Sequence, residues 1–211
     1  LFNDASSEII YPLLPVFLTV GLGASTTFVG LIEGIAESTS SLLKLPAGWL
    51  SDRIKNRKVI LDWGYGLATF IRPLLALTSA GWQVLFLRFT DRVGKGFRSA
   101  PRDAMIADAA PADARGIAFG FHRAMDHTGA IAGSLAAAGL TVIFKQDYRS
   151  IFLIAAIPGF IGLAVLLFFV REDRTAIPAV SATRTGLSWA EMPPEFKKLM
   201  HALLVFTLSN S

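Results

Sequence analysis

The chain has 211 residues, 53% of them apolar and only 17% charged, with a mean hydropathy of +0.51; a soluble domain carries about 25% charged residues, which disfavours a water-soluble globule. Twenty basic against sixteen acidic side chains give a net charge of +4. The absence of cysteine excludes disulfide frameworks, cysteine zinc sites and thiol catalysis. Three histidines, His122 and His127 close together and His201 far off, argue against a three-histidine metal site, and no cofactor is expected.

Six stretches long enough to cross a bilayer as helices, about 20 residues each, follow one another. Span 1, Leu1 to Leu22, ends in the uncharged glycine-rich turn Gly21 to Ser25. Span 2, Thr26 to Leu50, leads into the dense charge run Ser51 to Lys58. Span 3 covers Val59 to Ala80, with Gly81-Trp82 as a tight turn and an interfacial aromatic. Span 4, Gln83 to Ala109, is rich in charge. Span 5 follows Pro111 to Gly116 and reaches Phe144. Span 6, Ser150 to Val170, ends in Arg171 to Arg174. A polar linker with Pro178, Pro193 and Pro194 precedes renewed apolar character near Leu199. The expected organisation is a six-helix bundle over 1–170, a cytoplasmic linker over 171–195, and the start of a seventh helix over 196–211. The chain opens on Leu1 and stops inside an apolar run, so it reads as part of a longer protein.

Loop charge supports these spans. The loops after spans 2, 4 and 6 hold Arg53, Lys55, Arg57, Lys58, Arg115, Arg171 and Arg174, whereas those after spans 1 and 3 hold no basic residue and only Lys145 and Arg149 lie on the opposite side. By the positive-inside rule the amino terminus and the linker face the cytoplasm. Span 1 lacks a basic leader and contains Asp4 and Glu8, so it is not a cleaved signal. A soluble helical bundle is disfavoured because Ile151 to Val170 has no polar face. A nucleic-acid binder is disfavoured because the basic residues alternate with spans rather than forming one surface.

Ionisable side chains inside a bilayer must face a cavity or one another. In span 4, Arg88, Asp91, Arg92, Lys95, Ser99 and Arg102 recur at steps that keep them on one helical stripe. Span 1 offers Asp4, Glu8 and Tyr11, followed by Pro12 and Pro15, which loosen a helix. Span 2 offers Glu33, Glu37, Ser41 and Lys44, and span 3 offers Asp62 and Arg72. Span 5 offers His122, Arg123, Asp126 and His127. Acidic stripes on spans 1 and 2 are expected to face the basic stripe of span 4. The competing expectation is that Asp91 and Asp103 pair with neighbouring arginines and merely lock helices together. Rings of charge also suit a channel, so charge alone leaves channel and transporter open.

At Gly48-Trp49-Leu50-Ser51-Asp52-Arg53-Ile54-Lys55-Asn56-Arg57-Lys58 the sequence resembles the cytoplasmic signature between helices 2 and 3 of the major facilitator superfamily, with Asn56 where that family usually has glycine. Gly48 allows close helix approach, Asp52 can meet a helix terminus or an arginine, and Arg53, Arg57 and Lys58 hold the loop at the cytoplasmic surface. Arg88 with Gly94 and Gly96 is similar to the helix 4 signature, with Arg92 in place of a glycine. Gly120, Gly129, Gly133, Ser134, Ala137 and Ala138 sit at the spacings of the antiporter signature, with serine for its proline and alanines for its last two glycines. Glu8 to Pro15 resembles the acidic, double-proline segment of drug and proton antiporters.

The resemblance implies an all-α, polytopic membrane protein, comprising the amino-terminal half of that fold plus the start of helix 7. It implies alternating access about a midplane site between two six-helix halves. No GxxxxGK[ST] loop is present, so ATP is not implicated and a proton gradient is the implied energy source. The expected function is proton-coupled, antiporter-like export of a small organic solute; uptake of an organic anion, a passive channel and a membrane receptor are the alternatives. No enzymatic role is expected. The expected partners are solute, protons and membrane lipid, with no nucleic acid, in a monomer when full length and in a bacterial inner membrane. Glu8, Asp126, Glu37 and Glu33 are the candidate proton carriers.

Overall fold

The computed structural model describes residues 1–53 and 56–170, together with Pro193, Pro194, Lys197 and Lys198; for Asp52 only the backbone is described. The chain divides into two compact units, Leu1–Asp173 and Arg174–Ser211. The expected linker and seventh helix therefore lie outside the described residues, apart from those four positions.

Every regular element among the described residues is helical: α1 (Phe2–Ile10), α2 (Leu14–Val16), a π turn (Phe17–Gly21), α3 (Thr26–Arg53), α4 (Arg57–Leu74), a 3-10 turn (Leu75–Leu77), α5 (Gly81–Ala109), α6 (Arg115–Ile143) and α7 (Tyr148–Phe169). Spans 2 to 6 thus correspond to α3 to α7 within a few residues. Span 1 is broken rather than continuous, because Pro12 and Pro15 carry no N–H to donate. The chain turns at Tyr11 to Leu13 and resumes as α2. It then widens into the π turn, where the Leu22 N–H reaches back to the Phe17 carbonyl at 3.1 Å.

Local chemistry sets the helix starts. The Ser25 hydroxyl accepts the Phe28 N–H at 3.2 Å ahead of α3. Gln83 Oε1 accepts the N–H groups of Ser79 and Ala80 at 2.7 and 3.2 Å ahead of α5, so otherwise orphaned donors are satisfied by side chains. At the start of α7 the Ser150 hydroxyl donates to Asp147 at 2.6 Å and holds that exposed carboxyl below its usual range.

Among the described residues only α7 is apolar enough along its length to qualify unaided as a membrane span, with a mean hydropathy of 2.7. The other long helices carry charge and are sheltered by one another. A dry core of Ile10, Leu14, Leu18, Ile32, Val84, Ile151 and Phe152 fills the end of the bundle near the turns at 22–25, 78–80 and 144–147. There Phe17 meets Phe152 edge to face, with ring centroids 5.2 Å apart.

Toward the middle the helices close on small residues. A Cβ at Gly94 would lie 2.8 Å from the Gly64 carbonyl oxygen, and one at Gly64 would lie 2.8 Å from Arg98 Cβ. The α4–α5 contact is therefore a backbone-to-backbone approach that only glycine permits. Gly94→Ala is expected to lower the melting temperature of the full-length protein in detergent by the equivalent of about 1–3 kcal/mol. Gly66→Ala, where a Cβ meets nothing within 4 Å, should be neutral or stabilising by up to about 1 kcal/mol. Equal thermal shifts for the two variants would refute the close contact.

Candidate functional site

The basic stripe of α5 meets partners from three other elements. On α3, Glu33 receives Arg88 through two parallel bonds, Nε at 3.1 Å and Nη2 at 2.7 Å. One turn on, Glu37 lies 3.8 Å from Arg92 Nη1, a looser ion pair. From the broken first span, the Tyr11 hydroxyl donates to Asp91 Oδ2. The Tyr11 ring also lies 3.6 Å beneath the Arg88 guanidinium and 5.0 Å from that of Arg92, positions at which an aromatic face attracts a cation. From α4, Arg72 Nε stands 3.4 Å from Asp91 Oδ1, and Arg72 Nη1 donates to the Asn3 carbonyl at 3.0 Å.

Burial divides these groups sharply. Arg72, Arg88, Asp91, Arg92 and Arg98 are all buried. The Glu33 and Glu37 side chains remain 42% and 61% exposed, although the arginines they meet are only 3% and 9% exposed. The guanidiniums are thus covered from one side by carboxylates that keep contact with the open face of the bundle. Three guanidinium nitrogens, Arg72 Nε, Arg88 Nη1 and Arg92 Nε, are buried without a hydrogen-bond acceptor.

The opposed stripes of spans 2 and 4 are brought together, and so are Tyr11, Arg72 and Asp91. Asp91 with Arg72 and Asp103 with Arg102 (2.9 Å) also form the locking pairs of the competing expectation. Asp4 and Glu8 lie elsewhere. Glu8 packs against α6, where a Cβ at Gly133 would stand 2.8 Å from its own Cβ. Asp4 lines a cavity of about 510 Å³ with Tyr65, Arg102, His122 and Asp126, and His122 Nε2 is 3.2 Å from Asp126 Oδ2. Arg123 is exposed on α6. Lys95 is half-buried and, among the described residues, its ammonium has neither an ion-pair nor a hydrogen-bond partner; Arg92, Glu37, Arg98 and Asp91 are the charged groups that act on it.

Sequence reasoning missed Arg98. It is buried, donates to the Gly64 carbonyl at 3.3 Å and lies over the Tyr65 ring at 4.6 Å. Its signal was present, since it follows Asp91 by seven residues, two helical turns, on the same face. Of the loop signature, Gly48 passes Ala100 of α5, Arg53 stacks on Trp49 at 3.7 Å, Arg57 bonds Asp108, and Lys58 pairs with Asp62 at 3.1 Å.

The family model of the Major Facilitator Superfamily matches residues 1–211. An uncharacterized MFS-type transporter, MJ1317, of Methanocaldococcus jannaschii is 35% identical over 208 residues, covering 99% of this chain and 51% of the relative. The multidrug resistance protein MdtG of Proteus mirabilis is 31% identical over 214 residues, covering 98% and 51%. The chain spans about half the length of these curated relatives. A crystal structure of a bacterial homolog to the human lysosomal transporter Spinster, inward-facing and occupied, superposes with a TM-score of 0.64 at 18% identity, over 81% of this chain and 42% of that one; at that identity the likeness concerns the fold.

Asp91 is the buried carboxylate that pairs with Arg72 and accepts from the Tyr11 hydroxyl, so removing its charge leaves the buried Arg72 guanidinium without its ion-pair partner. Asp91→Asn is expected to cost about 3–5 kcal/mol of stability, read as lost detergent-extracted folded protein. Glu37→Gln, at a long and exposed pair, should cost less than about 1 kcal/mol. Normal folded yield for Asp91→Asn would contradict the structural role assigned to it.

Proposed function

We propose that this chain, which belongs to the major facilitator superfamily and forms the six-helix amino-terminal bundle of that fold, supplies half of a secondary transporter that moves a small organic solute by alternating access, coupled to protons and working as an exporter. The observation that carries this reading is the half-open ion-pair face of α3 and α5. Glu33 and Glu37 stay exposed over buried Arg88 and Arg92, and lipid is no tolerable neighbour for such carboxylates. A water-filled cavity against a second bundle is. The export direction is favoured by the similarity to a multidrug resistance protein.

In this reading the protein is a monomer in the cell membrane, with the amino terminus and the basic loops in the cytoplasm. Single cysteines at Arg57 and Arg115 should react with an impermeant thiol reagent only from the cytoplasmic side, and those at Ser25 and Ala80 only from outside. Equal access to all four from one side would sink the topology. Arg174, a further cytoplasmic marker by sequence, lies outside the described residues.

Proton coupling is assigned to Glu8, with Asp126 and Glu37 behind it. Glu8 belongs to α1 just before the Pro12 break and packs on Gly133, one of the small residues of the antiporter-like signature. Movement of α1 against α6 then changes the hydration of this carboxylate, and a carboxylate hydrated in one state and buried in the other binds protons differently in each. Glu8→Gln keeps the shape and removes the titration. It should abolish pH-driven accumulation in proteoliposomes while sparing solute binding and exchange. Persisting pH-driven accumulation in Glu8→Gln would transfer the role to Asp126.

A further inference from the structure

The ion pairs of α3 and α5 do not balance. Around Tyr11 the described residues gather five cations, Arg72, Arg88, Arg92, Lys95 and Arg98, and three carboxylates, Asp91, Glu33 and Glu37. The adjoining Arg102–Asp103 pair is neutral. Glu8 lies on the α6 side, packed on Gly133, and Asp4 lines the cavity with Asp126 and reaches Arg72 only through its field, with no ion pair between the two among the described residues. Two positive charges are left over, and uncompensated charge within the membrane is unfavourable.

The surplus has a location. Arg88, Arg92 and Lys95 recur at steps of four and three, so they share one face of α5. Arg88 Nη1 and Arg92 Nε are buried donors without acceptors, on side chains more than nine-tenths buried. The Lys95 ammonium is unpartnered among the described residues. Glu37, whose charge acts on Lys95 as well, holds Arg92 only at 3.8 Å and is mostly exposed. Unused donors, a two-charge deficit and a loosely held carboxylate thus coincide at one spot. Beside it on α5, Phe89 offers exposed apolar surface.

Resting on the transport reading above, we propose that the transported solute is an organic dianion, whose phosphate-like oxyanion head docks on Lys95 Nζ and the free donors of Arg92 and Arg88 and displaces Glu37. Arginine and lysine recognise such a head through charge-assisted hydrogen bonds. Two negative charges bring the cluster to neutrality, so solute binding and closure of the cavity favour each other. Glu37 is a competitor for the same cations rather than a ligand.

The test uses the full-length protein in detergent, with three aromatic probes of similar size: phenyl phosphate, benzoate and benzyltrimethylammonium. Phenyl phosphate should raise the melting temperature in a saturable way, benzoate should do so more weakly, and the cation should not. Lys95→Gln should leave the melting temperature of the ligand-free protein unchanged or higher, since it removes surplus charge and no ion pair. It should weaken phenyl phosphate binding by about tenfold or more. Glu37→Gln should tighten that binding. Stabilisation by the cation alone, no saturable effect of phenyl phosphate, or weaker phenyl phosphate binding in Glu37→Gln would each overturn the proposal. A permanent counter-ion from residues beyond the described ones would appear as the second of these. pH-driven flux on the same preparations keeps the two readings apart. Lys95-dependent binding without any gradient-driven flux removes the transport reading and leaves the anion site. Gradient-driven flux of benzyltrimethylammonium without phenyl phosphate binding does the reverse.

Discussion

A guanidinium in a membrane helix must find a carboxylate, a carbonyl or an aromatic face, and α5 carries Arg88, Arg92, Arg98 and Arg102, with Lys95 among them. No one neighbour supplies partners for all of them. Glu33 and Glu37 come from α3, Tyr11 from the broken first span, and the Gly64 carbonyl and Tyr65 from α4. The helices around α5 are therefore those that can neutralise it. The glycine contact between α4 and α5 is part of the same requirement, because the Gly64 carbonyl reaches Arg98 only if the two backbones almost touch.

This requirement also explains how polarity is distributed along the bundle. Charges gather midway and toward the end bearing Arg53, Arg57 and Lys58, while the aromatic and aliphatic core of Phe17, Phe152, Ile10 and Ile151 fills the opposite end. Van der Waals packing of these side chains holds the helices together there. In the middle, bidentate Arg88–Glu33 and the Tyr11–Asp91 bond specify angle and register.

Much of this was legible in the sequence because helical periodicity decides which side chains share a face. Glu33 and Glu37, four apart, could only address the same stripe of a neighbour, and Arg88 and Arg92, also four apart, match that spacing. Arg98 escaped because the eye stops at Lys95 and Arg102 on the stripe, whereas its partners are a backbone carbonyl and a ring, neither visible as charge complementarity. The fate of Glu8 was not legible either. Its stripe-mate Tyr11 turns to α5, while Glu8 goes to α6, since a side chain one turn away on a helix can serve a different neighbour. The break in span 1 was announced by Pro12 and Pro15, but the π turn that follows depends on how Phe17 packs on Phe152 and Tyr148.

Tyr11 is the first residue of that break. Its ring is gripped by two guanidiniums and its hydroxyl is tied to Asp91, while the residues on its far side belong to the dry core. Mechanically, the first span is a lever clamped at the elbow. The amino-terminal arm packs on the small residues of α6, the other arm is bedded in aromatic packing, and the elbow is tied to α5. Torque applied to the amino-terminal arm is therefore delivered to Asp91 and its arginines before it reaches the far end of the bundle.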